Sequence, residues 1–264
     1  MTKLSALLRK TGRSEPAPFG FGSAPRKSSP TMLLVALIGE RWQKGVADAA
    51  VAGADAFVLT GKPGDGELAS AIGAADVRPC GLLLTQPADG DLERVCKAGV
   101  DFLIVAPDAP AATLTDDDLG TVLQVKDELS DIQLRVIEGL SLDAIYLEQQ
   151  TGALTIRQQM DLQRISGLTR KPLLLHVRLN ADQDDLLSLR DAGALLVGID
   201  MKERDAIDAL RRLRGVIDAL PPHRKPRRDE RQEVTLPRTA AREKAEEDEE
   251  GEGAAMATYT SEQR

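Results

Sequence analysis

The 264-residue chain carries 34 Lys and Arg against 42 Asp and Glu, for a formal charge of −8, and is 42% hydrophobic but only 3% aromatic. An acidic, aromatic-poor surface disfavours non-specific binding to nucleic acid or anionic membranes and offers few platforms for stacking single strands. With two cysteines, Cys80 and Cys96, lacking CxxC spacing, and two histidines, neither a disulfide framework nor a zinc cluster is expected, and both thiols read as small buried hydrophobes.

Met1 to Gly12 places Leu4, Leu7 and Leu8 among Lys3, Arg9 and Lys10, the pattern of a short basic amphipathic helix. It lacks the apolar stretch and small-residue cleavage site of a secretory signal, so a cytoplasmic location is expected. Thr11 to Pro30 is rich in Gly, Pro and Ser, with Phe19-Gly20-Phe21-Gly22 as its apolar content, and residues 1–30 together are read as an amino-terminal arm.

From Thr31 short apolar runs alternate with helix-period segments, as in successive βαβ units of a parallel sheet. Strands are expected at Met32–Gly39, Ala56–Thr60, Gly81–Thr85, Phe102–Ala106, Thr121–Val125, Ala144–Leu147, Leu173–Val177 and Leu195–Ile199. Helices are expected at Arg41–Ala52, Gly66–Ile72, Asp89–Ala98, Asp131–Leu140, Thr155–Thr169, Ala181–Ala192 and Glu203–Leu220. Met32 to Ile38, the longest apolar run, is far shorter than a membrane span.

One phrase punctuates the pattern: Ala52-Gly53-Ala54-Asp55, Ala98-Gly99-Val100-Asp101, and more faintly Leu140-Ser141-Leu142-Asp143 and Asp191-Ala192-Gly193-Ala194. Each copy closes a helix and opens a strand, with a Gly suited to positive φ and a polar residue before the strand. Copies lie roughly 45 residues apart, enough for a pair of strand-helix units, and four pairs give a closed α/β barrel of the (β/α)8 TIM type over residues 31–220. The fourth helix is missing: Pro107 to Gly120 has room for one turn, capped by Thr115. The gap exposes strand flank that a second subunit would cover, so a homodimer is a possible assembly. Residues 221–264 open basic and turn acidic without apolar periodicity, and are read as a disordered charged tail.

Ligand sites in parallel barrels lie at the carboxyl ends of the strands, and alternate strand residues point inward. Lys126 follows Gln124, Glu148 follows Tyr146, Arg178 follows His176 and Asp200 follows Gly198 at matching parity. Glu40, Thr60, Lys62, Gln86 and Asp108 complete a ring of both charge signs around the mouth. Three chemistries stay open: a Schiff base on Lys126 or Lys62; proton abstraction by Glu148 with Lys126 or Arg178 steadying an enolate; or Mg²⁺ held by Glu40, Glu148 and Asp200. The catalytic candidates are Lys126, Glu148 and His176, and the substrate-binding candidates are Glu40, Lys62, Arg178 and Asp200. Ion pairs of Glu148 with Lys126, or Asp200 with Arg178, would instead plug the barrel and serve fold alone.

Lys97-Ala98-Gly99-Val100-Asp101-Phe102-Leu103-Ile104-Val105-Ala106-Pro107 resembles the joint between the third and fourth strands of aldolases and other phosphate-binding TIM barrels, as do the joints Ala52–Leu59 and Ala192–Ile199. The resemblance implies a TIM barrel that takes phosphorylated sugars, ketoacids or flavin mononucleotide. It breaks after strands seven and eight, where the family's glycine-rich phosphate turns are replaced by Arg178-Leu179-Asn180-Ala181-Asp182 and by Asp200-Met201-Lys202-Glu203-Arg204-Asp205. No cofactor is therefore predicted, with flavin and Mg²⁺ left open. Two function classes remain: a lyase- or isomerase-type enzyme acting on a carbonyl or carboxylate compound, with a small-molecule ligand at the mouth, or a non-catalytic barrel scaffold.

Overall fold

The computed structural model describes residues 1–11 and 30–221, apart from 89, 117, 127, 152 and 153; Phe19, Phe21 and the charged tail lie outside them. Eight parallel strands close in sequential order: β1 (Leu33–Ile38), β2 (Ala56–Leu59), β3 (Cys80–Leu83), β4 (Phe102–Val105), β5 (Gly120–Val125), β6 (Ala144–Thr151), β7 (Leu173–Val177) and β8 (Ala194–Asp200), with β8 returning to β1. The outer layer holds α2 (Trp42–Ala52), α3 (Asp65–Ala75), α4 (Asp91–Ala98), α5 (Asp131–Glu138), α6 (Ile156–Thr169), α7 (Gln183–Asp191) and α8 (Ala206–Ala219). No helix among the described residues is long and apolar enough to cross a membrane.

Period-two burial separates two cores. Leu33, Val35, Leu37, Ala56, Val58, Phe102, Ile104, Val122, Ala144, Tyr146, Leu174 and Leu196 fill the barrel, while the alternate residues of the same strands pack beneath the helices. The fill is matched in shape: a Cβ on Gly81 would overlap the Phe102 ring, and one on Gly198 would lie 2.7 Å from Leu37 Cδ1.

The recurring phrase works as geometry required. Gly53, Gly99 and Gly193 have φ of 101°, 83° and 102°, the left-handed turn that reverses each helix into its strand. Its aspartates then tie the barrel bottom. Asp55 accepts the Leu34 N–H at 2.8 Å and Arg214 of α8 at 2.7 Å. Burial nevertheless raises the Asp55 carboxyl above its usual range, the Leu34 N–H and Arg214 pulling it back only in part.

Asp101 and Asp143 perform a task that the sequence did not disclose. The amphipathic amino-terminal segment folds as α1 (Lys3–Lys10), capped by Thr2, and its first turn sits on the bottom of the barrel. The Asp101 carboxylate accepts the N–H groups of Lys3 at 2.7 Å and Leu4 at 2.8 Å, and Asp143 accepts the Ser5 hydroxyl at 2.6 Å. An anion at a helix amino end satisfies free N–H groups and the helix dipole together. Leu4, 1% exposed, enters the barrel's inner core, with Leu7 and Leu8 packed beside it.

The fourth outer helix is reduced to a 3-10 turn at Ala111–Leu114. The expected cap is displaced: Thr115 closes this turn, its N–H and hydroxyl both donating to the Ala112 carbonyl, because the turn uses Pro110 as its entry. A cavity of about 380 Å³ occupies the vacated flank, lined by Leu92, Ala112, Thr113, Thr115, Asp116 and Leu119. Beside it Cys96 is exposed, not buried as its helix position suggested, and its thiol donates to Asp116 Oδ2 at 3.4 Å. Cys80 is buried as expected, and desolvation raises its thiol to about 12.

Candidate functional site

Inward parity at the carboxyl ends of β5 to β8 brings polar side chains into one cluster. Gln124 stands opposite Tyr146 in the β5–β6 register, and His176 opposite Gly198 in the β7–β8 register. Strand β6 continues to Thr151, past the expected end at Leu147, so Glu148 projects from strand, within the register shift that separates Leu147 from Thr151.

Two linked units result. Glu148 Oε2 accepts the Gln124 amide N–H at 3.0 Å and meets Lys126 Nζ at 3.4 Å, with the Lys126 and Glu148 side chains about half exposed at 57% and 52%. Deeper in, the Tyr146 hydroxyl lies 2.6 Å from His176 Nε2, with the rings 5.4 Å apart. Burial pulls His176 below the usual imidazole value, and the carboxylates of Asp200 and Glu148 partly pull it back. Burial and the same two carboxylates push the Tyr146 phenol well above its usual range. With the phenol protonated and the imidazole neutral, the contact is a single hydrogen bond whose direction follows the imidazole tautomer.

The other expected ring members are placed differently. Asp200, half-buried, accepts the Lys202 N–H at 2.9 Å and forms no ion pair with Arg178 among the described residues. Arg178 is exposed at the rim. Glu40 and Lys62 are exposed on the loops after β1 and β2, beyond the strand ends, where inward parity no longer governs direction. The proposed Mg²⁺ triad does not assemble: among the described residues no group of three His, Cys, Asp or Glu side chains converges, and Glu40, Glu148 and Asp200 do not meet. Trp42 is structural, donating through Nε1 to the Thr60 carbonyl at 3.0 Å. Lys202 lies across Gly39 just past the end of β1, where a Cβ would overlap its Cε and come 3.1 Å from its Nζ.

Helix starts after β7 and β8 carry acid. Asp182 caps α7 by accepting the Asp185 N–H at 2.9 Å, Asp184 and Asp185 occupy its first turn, and Asp205 precedes α8. At α7 the Asp182 carboxylate itself occupies the amino end that a phosphate would take, and at α8 Asp205 sets negative charge beside it without a capping hydrogen bond. Sequence reasoning placed Gln124 and Tyr146 on the inward face but gave neither a role. The available signal was their parity together with their neighbours in register.

The closed parallel barrel with a polar mouth at its strand carboxyl ends defines the molecule as a TIM barrel. Its solved neighbours include TIM-barrel enzymes of the phosphate-binding type. One is KGPDC from Streptococcus mutans, 10% identical, TM-score 0.56, covering 72% of this chain and 98% of that one. A second is 3-hexulose-6-phosphate synthase, 16% identical, TM-score 0.54, covering 70% and 99%. Tryptophan synthase from Mycobacterium tuberculosis is 14% identical, TM-score 0.53, covering 71% and 91%. These likenesses show a shared fold. No family model and no curated protein matches the sequence.

Proposed function

We propose that the chain is a small-molecule enzyme of lyase or isomerase type, moving a proton next to a carbonyl or carboxylate at the mouth of the barrel. The observation that carries this is the Tyr146–His176 pair at 2.6 Å, a neutral imidazole oriented by a protonated phenol, beside the Glu148–Lys126 pair, with Tyr146 and Glu148 both on β6. Buried polar groups of this kind exact a desolvation cost that an aliphatic barrel layer would avoid, and perturbed acid–base groups in a strand-end cluster favour a chemical role. Gln124 and Lys126 both meet Glu148 at Oε2, so its second oxygen is the one placed to take a proton. Lys126 then lies beside the enolate oxygen as a stabilising cation, Arg178 holds a carboxylate at the rim, the neutral His176 hydrogen-bonds the enolate, and protonated Glu148 returns its proton to carbon and is restored as a carboxylate.

Solvent exchange tests this without knowledge of the full reaction. A panel of small 2-oxo and hydroxy acids is incubated in D2O, and loss of carbon-bound proton signals is followed by NMR. Exchange is expected with at least one compound and should fall about 100-fold or more in Glu148→Gln and His176→Asn. Background rates across the panel would overturn the reading.

A non-catalytic scaffold is the second reading. It is favoured by the way Glu148 Oε2 is already paired with both the Gln124 amide N–H and Lys126, and by the carboxylates at the two helix starts. It predicts background exchange throughout.

A further inference from the structure

Gln124 is anomalous within the cluster. Its side chain is 2% exposed, and its Nε2 is fixed by Glu148, which sets the amide orientation. Its Oε1 is buried and has no hydrogen-bond partner among the described residues. A buried carbonyl left unpaired opposes folding, so such a group on the inner wall of a mouth points to a partner that comes with the ligand. Two carboxylates lie in the same cluster: Glu148, bonded to the Gln124 amide, and Asp200, which with Glu148 acts on both Tyr146 and His176. Below lie apolar side chains, among them Ile104, Val122 and Leu174. The cationic groups Lys126, Arg178 and Lys202 are exposed, on the outer side of the same cluster.

We infer that the mouth binds a small hydroxy- or amino-carboxylate donor end first, its –OH or –NH3⁺ group donating to Gln124 Oε1 inside and its carboxylate facing the cations of the rim. The inference rests on the mouth being a small-molecule site and names the class of molecule it takes. The polarity is the reverse of an anion-first site: the inner wall presents acceptors, and the helix starts after β7 and β8 present Asp182 and Asp205.

Matched pairs test it on the full chain: glycolate and glycine against acetate, and lactate and alanine against propionate, each titrated by calorimetry or by ligand-observed NMR. In the wild-type protein the donor-bearing member of a pair is expected to bind at least about tenfold tighter, because a site built around a hydrogen bond rejects the analogue that lacks it. Preference for the hydroxy acid or the amino acid identifies the donor. In Gln124→Met, which keeps volume but removes the acceptor, the ratio should fall to about one. Equal binding within each pair overturns the donor subsite while leaving the catalytic reading standing, whereas no binding by any member overturns both. A ratio retained in Gln124→Met also refutes the inference. The ligand-free variant supplies an independent check: its melting temperature should match or exceed that of the wild type, and a fall of more than a few degrees would make Gln124 a structural tie for Glu148 instead.

Discussion

Leu4→Ala is the sharpest probe of how the barrel bottom is closed. Leu4 is 1% exposed and inserts into the inner core from α1, so its truncation removes three buried carbons and leaves a void that the β-strands cannot collapse to fill. Buried Leu→Ala changes cost about 2–5 kcal/mol, and roughly 3 kcal/mol is expected here because α1 is a single short helix able to relax a little. At about 2–4 °C per kcal/mol for a domain of this size, the melting temperature should fall by roughly 6–12 °C. Circular dichroism at 222 nm reads this directly. Hydrogen exchange adds a local readout, because the Lys3 and Leu4 amides are held by Asp101. If the helix undocks in the variant, these two amides lose protection while the strands keep theirs, and the loss of stability is capped at the docking energy of α1. A melting shift below about 2 °C with both amides still protected would refute the idea that α1 belongs to the core.

Gly81→Ala should destabilise by about 1–3 kcal/mol, since its Cβ overlaps the Phe102 ring, and adding Phe102→Leu should recover much of the loss in urea melts. Because burial lowers the His176 pKa, the unfolded chain binds the proton more readily, so stability is flat above about pH 6.5 and declines as pH falls below it. His176→Gln should remove that part of the slope in melts from pH 8 to 5, and an unchanged slope would place the imidazole outside the buried cluster. Arg214→Met strands the raised Asp55 carboxyl and should cost roughly 2–3 kcal/mol, near the low end for a broken ion pair because Asp55 is partly exposed. Asp55→Asn in the same chain should restore part of that loss, a coupling measurable by a double-mutant cycle.

What could be read from the residues followed from short-range periodicity. Alternation in Thr121–Val125 and Leu173–Val177 gave strand position and facing, so the Lys126–Glu148 contact and the inward direction of His176 were legible. Parity stops being informative at the strand ends. Glu40 and Lys62 follow their strands in sequence but belong to loops, and both are exposed away from the inner cluster. Cys96 was misplaced because α4 faces a flank from which the fourth helix is missing, so a position that would be covered in a complete ring is open to solvent. The Tyr146–His176 hydrogen bond needed register between two strands, and register is set by the whole barrel. The docking of α1 was the least visible feature, since its partners Asp101 and Asp143 lie 97 to 138 residues further along the chain.

That separation bears on the order in which the molecule assembles. Helix α1 takes its seat on Asp101 and Asp143, the residues that lead into β4 and β6, so on a growing chain that seat is complete only after five of the eight strands have been made. Contacts of such long sequence range raise the contact order and add loop-closure entropy to a late step. Docking of α1 is therefore expected late in folding, with Leu4, Leu7 and Leu8 without their inner-core partners until then. In the interval the nascent chain carries its own apolar ligand for a hole not yet built, which gives a reason for the flanking Lys3, Arg9 and Lys10: they keep the waiting helix in solution.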